Sequence, residues 1–220
     1  MPTILSDIEL RVLGSLIEKQ VTTPEYYPLT LNSLTLACNQ KNNRHPVTAF
    51  DEAAVAQALE TLREKNLTYV FYGSNSRVPK YKHVMPEIFH LNQPELALMC
   101  VLMLRGPQTV GELHSRSSRL YSFSGLEEVE ETLNSLTVKE PEPLVIRQPR
   151  QPGQKEARIA HLLAGEVSID QPAEREYSKR AATSKPAETG VLRLEREVET
   201  LRAEVTGLQQ QFEDFKKQFE

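Results

Sequence analysis

Residues 51–81 constrain the fold most, because the chain uses their plan twice. The run DEAAVAQALETLREK places Val55, Ala58, Leu59 and Leu62 at i, i+3, i+4 and i+7, which is one apolar stripe of a helix. NLTYVFYGSNSRVPKYKHV follows; its two β-rich runs around a Gly-Ser-Asn-Ser turn predict a hairpin. A helix followed by a two-stranded ribbon is the second half of a winged helix-turn-helix. Val55, Leu59 and Leu62 recur as Val129, Leu133 and Leu136, each displaced by 74 positions, and PLVIRQPRQPGQKEARIAHLL then supplies two more β-rich runs around Pro152 and Gly153. Upstream, Thr30-Leu-Asn-Ser-Leu34 matches Thr109-Val-Gly-Glu-Leu113 at a displacement of 79, and Glu9-Leu10 matches Glu95-Leu96 at 86. Constant order with a drifting offset points to duplicated domains with longer connections in the first copy, since a solenoid keeps a fixed period. The expected fold is mainly α with small β-hairpins (α+β). It comprises two tandem winged helix-turn-helix domains at 1–90 and 91–165, a flexible linker at 166–190 and a C-terminal coiled-coil helix at 191–220.

Helix starts carry local signals. Ser6-Asp-Ile-Glu9, Asn92-Gln-Pro-Glu95, Thr109-Val-Gly-Glu112 and Ser124-Gly-Leu-Glu127 each have the form of a capping box. Gly14 lies inside the first helix. There it costs up to about 1 kcal/mol against Ala, so it marks a close helix contact. The second helix, 31–38, places Leu31, Leu34 and Cys38 on one face, and Gly106-Pro107 ends the apolar helix 96–104. Tyr26 and Tyr27 either edge the core or offer a contact surface.

The polar loop Asn39-Gln-Lys-Asn-Asn-Arg-His-Pro46, free of acids, enters the third helix. With it, EKQVTTPEYYPLTLNSLTLACNQKNNRHPV resembles the signature stretch of the YceH-like family, uncharacterised bacterial proteins with two winged-helix domains. The resemblance covers roughly residues 4–165. It implies the fold and supplies no activity, ligand or catalytic residue.

The final segment is sharply periodic. Val191, Leu194, Val198, Leu201, Val205, Leu208, Phe212, Phe215 and Phe219 alternate gaps of three and four, the seam of a coiled coil. Val at a with Leu at d favours a parallel dimer, so Val191, Leu194, Val198, Leu201, Val205 and Leu208 are the expected dimerisation residues of a homodimer. The alternative is one amphipathic helix folded back on the body.

Net charge is −4, and residues 1–90 balance at nine basic against nine acidic side chains. Nucleic-acid binding would therefore rest on local patches. The first wing carries Arg77, Lys80, Lys82 and His83 with no acid between residues 76 and 86, and Lys41, Arg44 and His45 precede the third helix. Gln57 is the candidate base reader on that helix, which also presents Asp51, Glu52, Glu60 and Glu64. These residues predict phosphate contacts to double-stranded DNA. The third helix of the second domain carries Glu127, Glu128, Glu130 and Glu131. Phosphates would be repelled there, so it predicts a protein contact instead. Arg116, Arg119, Arg147, Arg150, Lys155 and Arg158 around it either touch a backbone or pair with those acids. A non-DNA-binding adaptor that docks a protein partner and dimerises through its coil is thus the alternative function.

No enzyme constellation, metal site or cofactor is expected: the five histidines are scattered and there is no Gly-rich phosphate loop. Cys38 and Cys100 sit in apolar helical patterns, which reads as two buried thiols in a reducing compartment. No run reaches the roughly 18 apolar residues of a membrane span, and the N-terminus lacks a signal-peptide pattern. The expected location is cytoplasmic.

Overall fold

The structure, a computed structural model, describes residues 4–72, 78–150 and 156–165. All of them fall in one compact unit, Met1–Gln171. The linker and coiled-coil assignments, Arg77, Lys155 and both hairpin turns lie outside the described residues.

Helix α1 (Asp7–Thr22) starts at the expected capping box, with Ser6 Oγ accepting from the Glu9 amide and Glu9 accepting from the Ser6 amide. A single 3-10 turn, Pro24–Tyr26, leads to the two-residue strand β1 (Leu29–Thr30), then α2 (Leu31–Cys38) and α3 (Glu52–Glu64). Strands β2 (Thr68–Phe71) and β3 (Lys80–His83) form the predicted hairpin. β1 adds to its far side, giving an antiparallel sheet ordered β1-β3-β2 with Thr30 opposite Lys80 and Tyr69 opposite Lys82. A short helix, α4 (Met85–Phe89), ends at His90 in the left-handed region and joins the two halves.

The second half repeats the order. It runs α5 (Gln93–Arg105), α6 (Val110–Ser117), α7 (Leu126–Thr137), and the antiparallel pair β4 (Val145–Arg147) and β5 (Ile159–His161). Gln108 takes the place of β1, exchanging backbone hydrogen bonds with Ile159 at 3.0 and 2.7 Å. The chain is therefore mixed α/β, dominated by helix with small antiparallel sheets. The boxes at Asn92 and Thr109 form as expected. The one at Ser124 does not. Gly125 is the N-cap, and the Ser124 amide and hydroxyl both donate to Glu128, at 2.7 and 2.8 Å. The acid one turn further along, not Glu127, thus closes the entry to α7.

One core runs through both halves because α1 packs against α5 as well as α2 and α3. Every residue of α1 from Glu9 to Glu18 is buried, where a surface helix would bury one stripe. Gly14 permits this approach, as its position in the sequence suggested: a Cβ there would lie 2.9 Å from Leu104 Cδ2 and 3.4 Å from Met103 Cβ. The Cys100 thiol meets the Gly14 carbonyl at 3.4 Å. At the far end, the Leu5 amide donates to Leu163 O at 2.6 Å, tying the start of the first half to the end of the second. No described helix is long and apolar enough to cross a membrane.

Candidate nucleic-acid interface

The loop between α2 and α3 is long, and the chemistry beneath it explains how it keeps one shape. Its ends are joined by the Asn39 side chain, which donates to Phe50 O at 2.7 Å and accepts from the Phe50 amide at 2.8 Å. From below, Arg11 donates to Cys38 O, Pro46 O and Thr48 Oγ1 at 3.1, 2.7 and 3.1 Å. Three backbone carbonyls and a hydroxyl that would otherwise need water are satisfied in this way.

Arg44 supplies the second anchor. Its guanidinium meets Glu18 in a bidentate pair at 3.1 and 2.5 Å and donates to Ala37 O, and both side chains are fully buried. The reading of Arg44 as a phosphate contact is therefore corrected: all its donors face inward. Arg119, from the turn after α6, pairs with the same Glu18 from the other half. Burial alone would raise the Glu18 carboxyl, but the Arg44 hydrogen bond and the charges of Arg44 and Arg119 hold it below the ordinary carboxylate range. A second stitch joins Arg105 Nη2 to Asn43 Oδ1 at 2.5 Å, and the His45 amide donates to Leu104 O at 2.9 Å. With Arg44 turned in, Lys41, Asn42, His45 and Val47 are left exposed on a fixed, acid-free loop.

The sheet provides the other basic surface. Along β2 and β3 the alternation sends Thr68 and His83 into the core and turns Tyr69, Phe71, Lys80 and Lys82 outward. Lys82 Nζ stands 5.7 Å from the Tyr69 ring centroid, a cation–π pair. Among the described residues neither Lys80 nor Lys82 has an ion-pair partner. His83, counted with the basic wing from sequence, is instead buried. Both its ring nitrogens lack a hydrogen-bond partner, and burial, helped by the Lys82 charge, pushes it down to about 4. The ring is neutral at physiological pH and contacts no phosphate. Its backbone amide donates to the Tyr27 hydroxyl at 2.9 Å, so Tyr27 belongs to the core edge while Tyr26 is solvent-exposed.

Gln57 is exposed, but it lines a shallow groove between α3 and the start of α1 with Ser6, Ile8, Ala54 and Lys65. The acids of α3 are partly engaged nearby. Asp51 caps the Ala54 amide, Glu52 accepts from Asn32, and Glu60 pairs with Arg63.

Several cations of the second half pair within it, while Arg119 reaches Glu18 of the first half and Arg150 is exposed outside any of these pairs. Arg147 pairs with Glu130, Arg158 and Arg116 with Glu112, and Lys139 with the buried Glu95. Glu127 and Glu131 of α7 stay exposed, as does Leu126. Both cysteines are free, buried and held protonated, with burial raising Cys38 to about 11 and Cys100 further. Among the described residues no three His, Cys, Asp or Glu side chains gather as a metal would require.

Comparison with known proteins places the chain in a family of uncharacterised bacterial proteins, under a description other than the YceH-like one. The profile described as "Protein of unknown function, DUF480" matches residues 5–154. The chain belongs to this family. It is 49% identical to a UPF0502 protein of Geobacter sulfurreducens over 221 residues, covering 100% of both chains. A UPF0502 protein of Geotalea uraniireducens is 50% identical over 218 residues, 98% of each chain. One from Opitutus terrae is 49% identical over 199 residues, 90% of this chain and 84% of its own.

The residues that sequence reasoning missed are Arg11, Ser15 and Glu18. They follow one another at helical spacing beside Gly14 and so resemble a solvated polar stripe. Only the packing of α5 and the 39–50 loop over that stripe turns it into an interior ion cluster. Gly14 was the available signal that something lies close on this side.

Proposed function

We propose that this DUF480 protein is a non-enzymatic, cytoplasmic DNA-binding protein whose two halves follow the winged-helix plan. On this reading domain one, 1–90, contacts phosphates through the 39–50 loop and the first wing, while domain two, 91–165, is a scaffold. The C-terminal segment 191–220 pairs two copies through Val191, Leu194, Val198, Leu201, Val205 and Leu208.

One observation carries the reading. The loop and wing lysines of the first half, Lys41, Lys80 and Lys82, have no ion-pair partner among the described residues, although Arg63 and Lys65 of α3 and its end do. In the second half Arg116, Arg119, Lys139, Arg147 and Arg158 are in ion pairs and, among the described residues, Arg150 is not. Phosphate binding needs cations free to release counterions. In the winged-helix geometry the turn before the third helix and the wing lie toward the duplex. The acids of α3 argue against deep insertion of that helix, so the expected mode is backbone contact with little base readout.

The test is anisotropy of a labelled duplex titrated at several salt concentrations with the parent and with a Lys41→Ala, Lys80→Ala, Lys82→Ala variant. Each phosphate contact contributes about 0.9 to the salt slope, so the variant's slope falls by roughly 2 to 3. An unchanged slope refutes the assignment. The adaptor reading has its own support in α7, where Leu126, Glu127 and Glu131 are exposed together. Retention of a protein partner that is lost on Glu127→Lys, Glu131→Lys, with no duplex binding at low salt, would favour it.

A further inference from the structure

We infer that the outer face of the β1-β3-β2 sheet is a stacking platform for single-stranded nucleic acid. This rests on the nucleic-acid reading above and changes its partner from duplex to single strand at the wing.

The outward face of the β2-β3 hairpin exposes aromatic surface. Tyr69 and Phe71 are 40% and 41% exposed on the outward face of β2, and Tyr72 at its end is 69% exposed. Alternation would let polar residues fill those positions, and solvated apolar surface of this kind marks an interaction site. Each ring faces a lysine across the ladder, Tyr69 opposite Lys82 and Phe71 opposite Lys80. The three strands contain no acid. A row of rings on β2 thus lies beside a row of lysines on β3, which is the pairing a single strand needs: bases on π-faces and phosphates on ammonium groups.

A duplex cannot use such rings. Its bases are stacked about 3.4 Å apart along each strand, and it offers only base edges and backbone to a protein. Tyr69 and Phe71 are two residues apart on a strand, roughly 6.7 Å, which suits successive bases splayed from an unstacked strand. Lysines alone would serve either partner. The rings decide for the single strand.

The experiment compares a labelled oligothymidylate, an oligouridylate and a duplex, titrated with the full chain and three variants. Tyr69→Ala with Phe71→Ala removes the rings; Tyr69→Phe with Phe71→Tyr keeps them; Lys80→Glu with Lys82→Glu reverses the charge. The expected result is tighter binding of the oligothymidylate than of the duplex. Ring removal weakens it by about tenfold per ring, ring exchange preserves it, and charge reversal abolishes it. Equal binding of the oligouridylate would show that the sugar is not read; weaker binding would assign the face to DNA. Melting curves of the variants exclude misfolding, and a ring-free variant that binds oligothymidylate as the parent does overturns the inference. Duplex binding without single-strand binding also overturns it and leaves the proposed function standing. No binding of any of the three at low salt overturns both.

Discussion

Arg44 separates a structural role from a binding role. Its guanidinium makes two hydrogen bonds to Glu18 and bonds to Ala37 O and Asn43 O, with no exposed side-chain surface. Arg44→Met removes the charge and leaves Glu18 buried against Arg119 alone, and removing one member of a buried pair costs about 3–5 kcal/mol. At roughly 2–4 °C per kcal/mol for a domain of this size, the melting temperature should fall by about 6–20 °C. Far-UV circular dichroism during thermal unfolding measures it. Glu18→Leu combined with Arg44→Met should cost less than the sum of the two single changes, because the double variant leaves neither charge stranded in the core. Lys41→Ala and His45→Ala, on the outer side of the same loop, should stay within about 0.5 kcal/mol of the parent. If Arg44→Met melts like the parent and only weakens nucleic-acid binding, the inward placement of this side chain is wrong.

Gly14→Val should destabilise by more than the roughly 1–3 kcal/mol of ordinary overpacking, because the first added carbon already meets Leu104 at 2.9 Å; denaturant titration measures this, and a neutral change would refute close α1–α5 packing. His83 is held down at about 4. Since its folded value lies below the unfolded one, its neutral burial stabilises fully above about pH 6.5, and that contribution of about 3 kcal/mol is lost as pH falls toward 4. His83→Leu should flatten the stability–pH profile in that window, and an unaltered profile would count against it. Glu9, Glu18 and Glu95 are all lowered, each by bonds to Lys or Arg that outweigh burial. Their stabilisation is present above the ordinary carboxylate range and lost below it, so the parent should show a further acid loss below about pH 4.3. Because α1 is shared, residues 4–165 should unfold in one transition by circular dichroism and by hydrogen exchange, and two separated transitions would show that the halves have independent cores.

The repeat, the hairpins and most helix starts were legible because they rest on local rules. Apolar periodicity set α3 and α7, and the Ser6, Asn92 and Thr109 boxes set three helix starts. Ser124 failed because the rule counts residues, whereas the hydroxyl followed Glu128, the acid that the turn of chain brought within reach. Arg44 failed for a different reason. In sequence it stands among Asn, Lys and His in a loop, which is the composition of a solvent-facing contact. Its partner Glu18 is 26 residues away on a helix that looks amphipathic until α5 covers it. Tertiary coverage of a polar stripe has no local signature beyond a small residue such as Gly14. His83 likewise alternates with Lys82 in sequence, and a single step of strand register moves it from the basic face to the core.

The placement of charge links fold to function. A chain with net charge −4 cannot attract phosphates everywhere, so what matters is which cations remain free once folding is complete. In the second half Arg147–Glu130, Arg158–Glu112 and Lys139–Glu95 take up three of the cations, while Glu127 and Glu131 of α7 keep their charge exposed. Arg119 crosses to Glu18 and fastens that half to the loop of the first. The same Glu18 draws Arg44 inward. The loop therefore gives up its most strongly basic residue for rigidity and keeps Lys41 and His45 outside. Binding at such a surface gains from the fixed loop, because less conformational entropy remains to be lost on contact. The β2-β3 hairpin follows the opposite course: Lys80 and Lys82 have no carboxylate partner among the described residues, and Lys82 stands over the Tyr69 ring. A site built from carboxylate-paired cations would favour internal order. One built from ring-paired cations keeps its charge available, and that difference is why the first half, and not the second, is the half to test with nucleic acid.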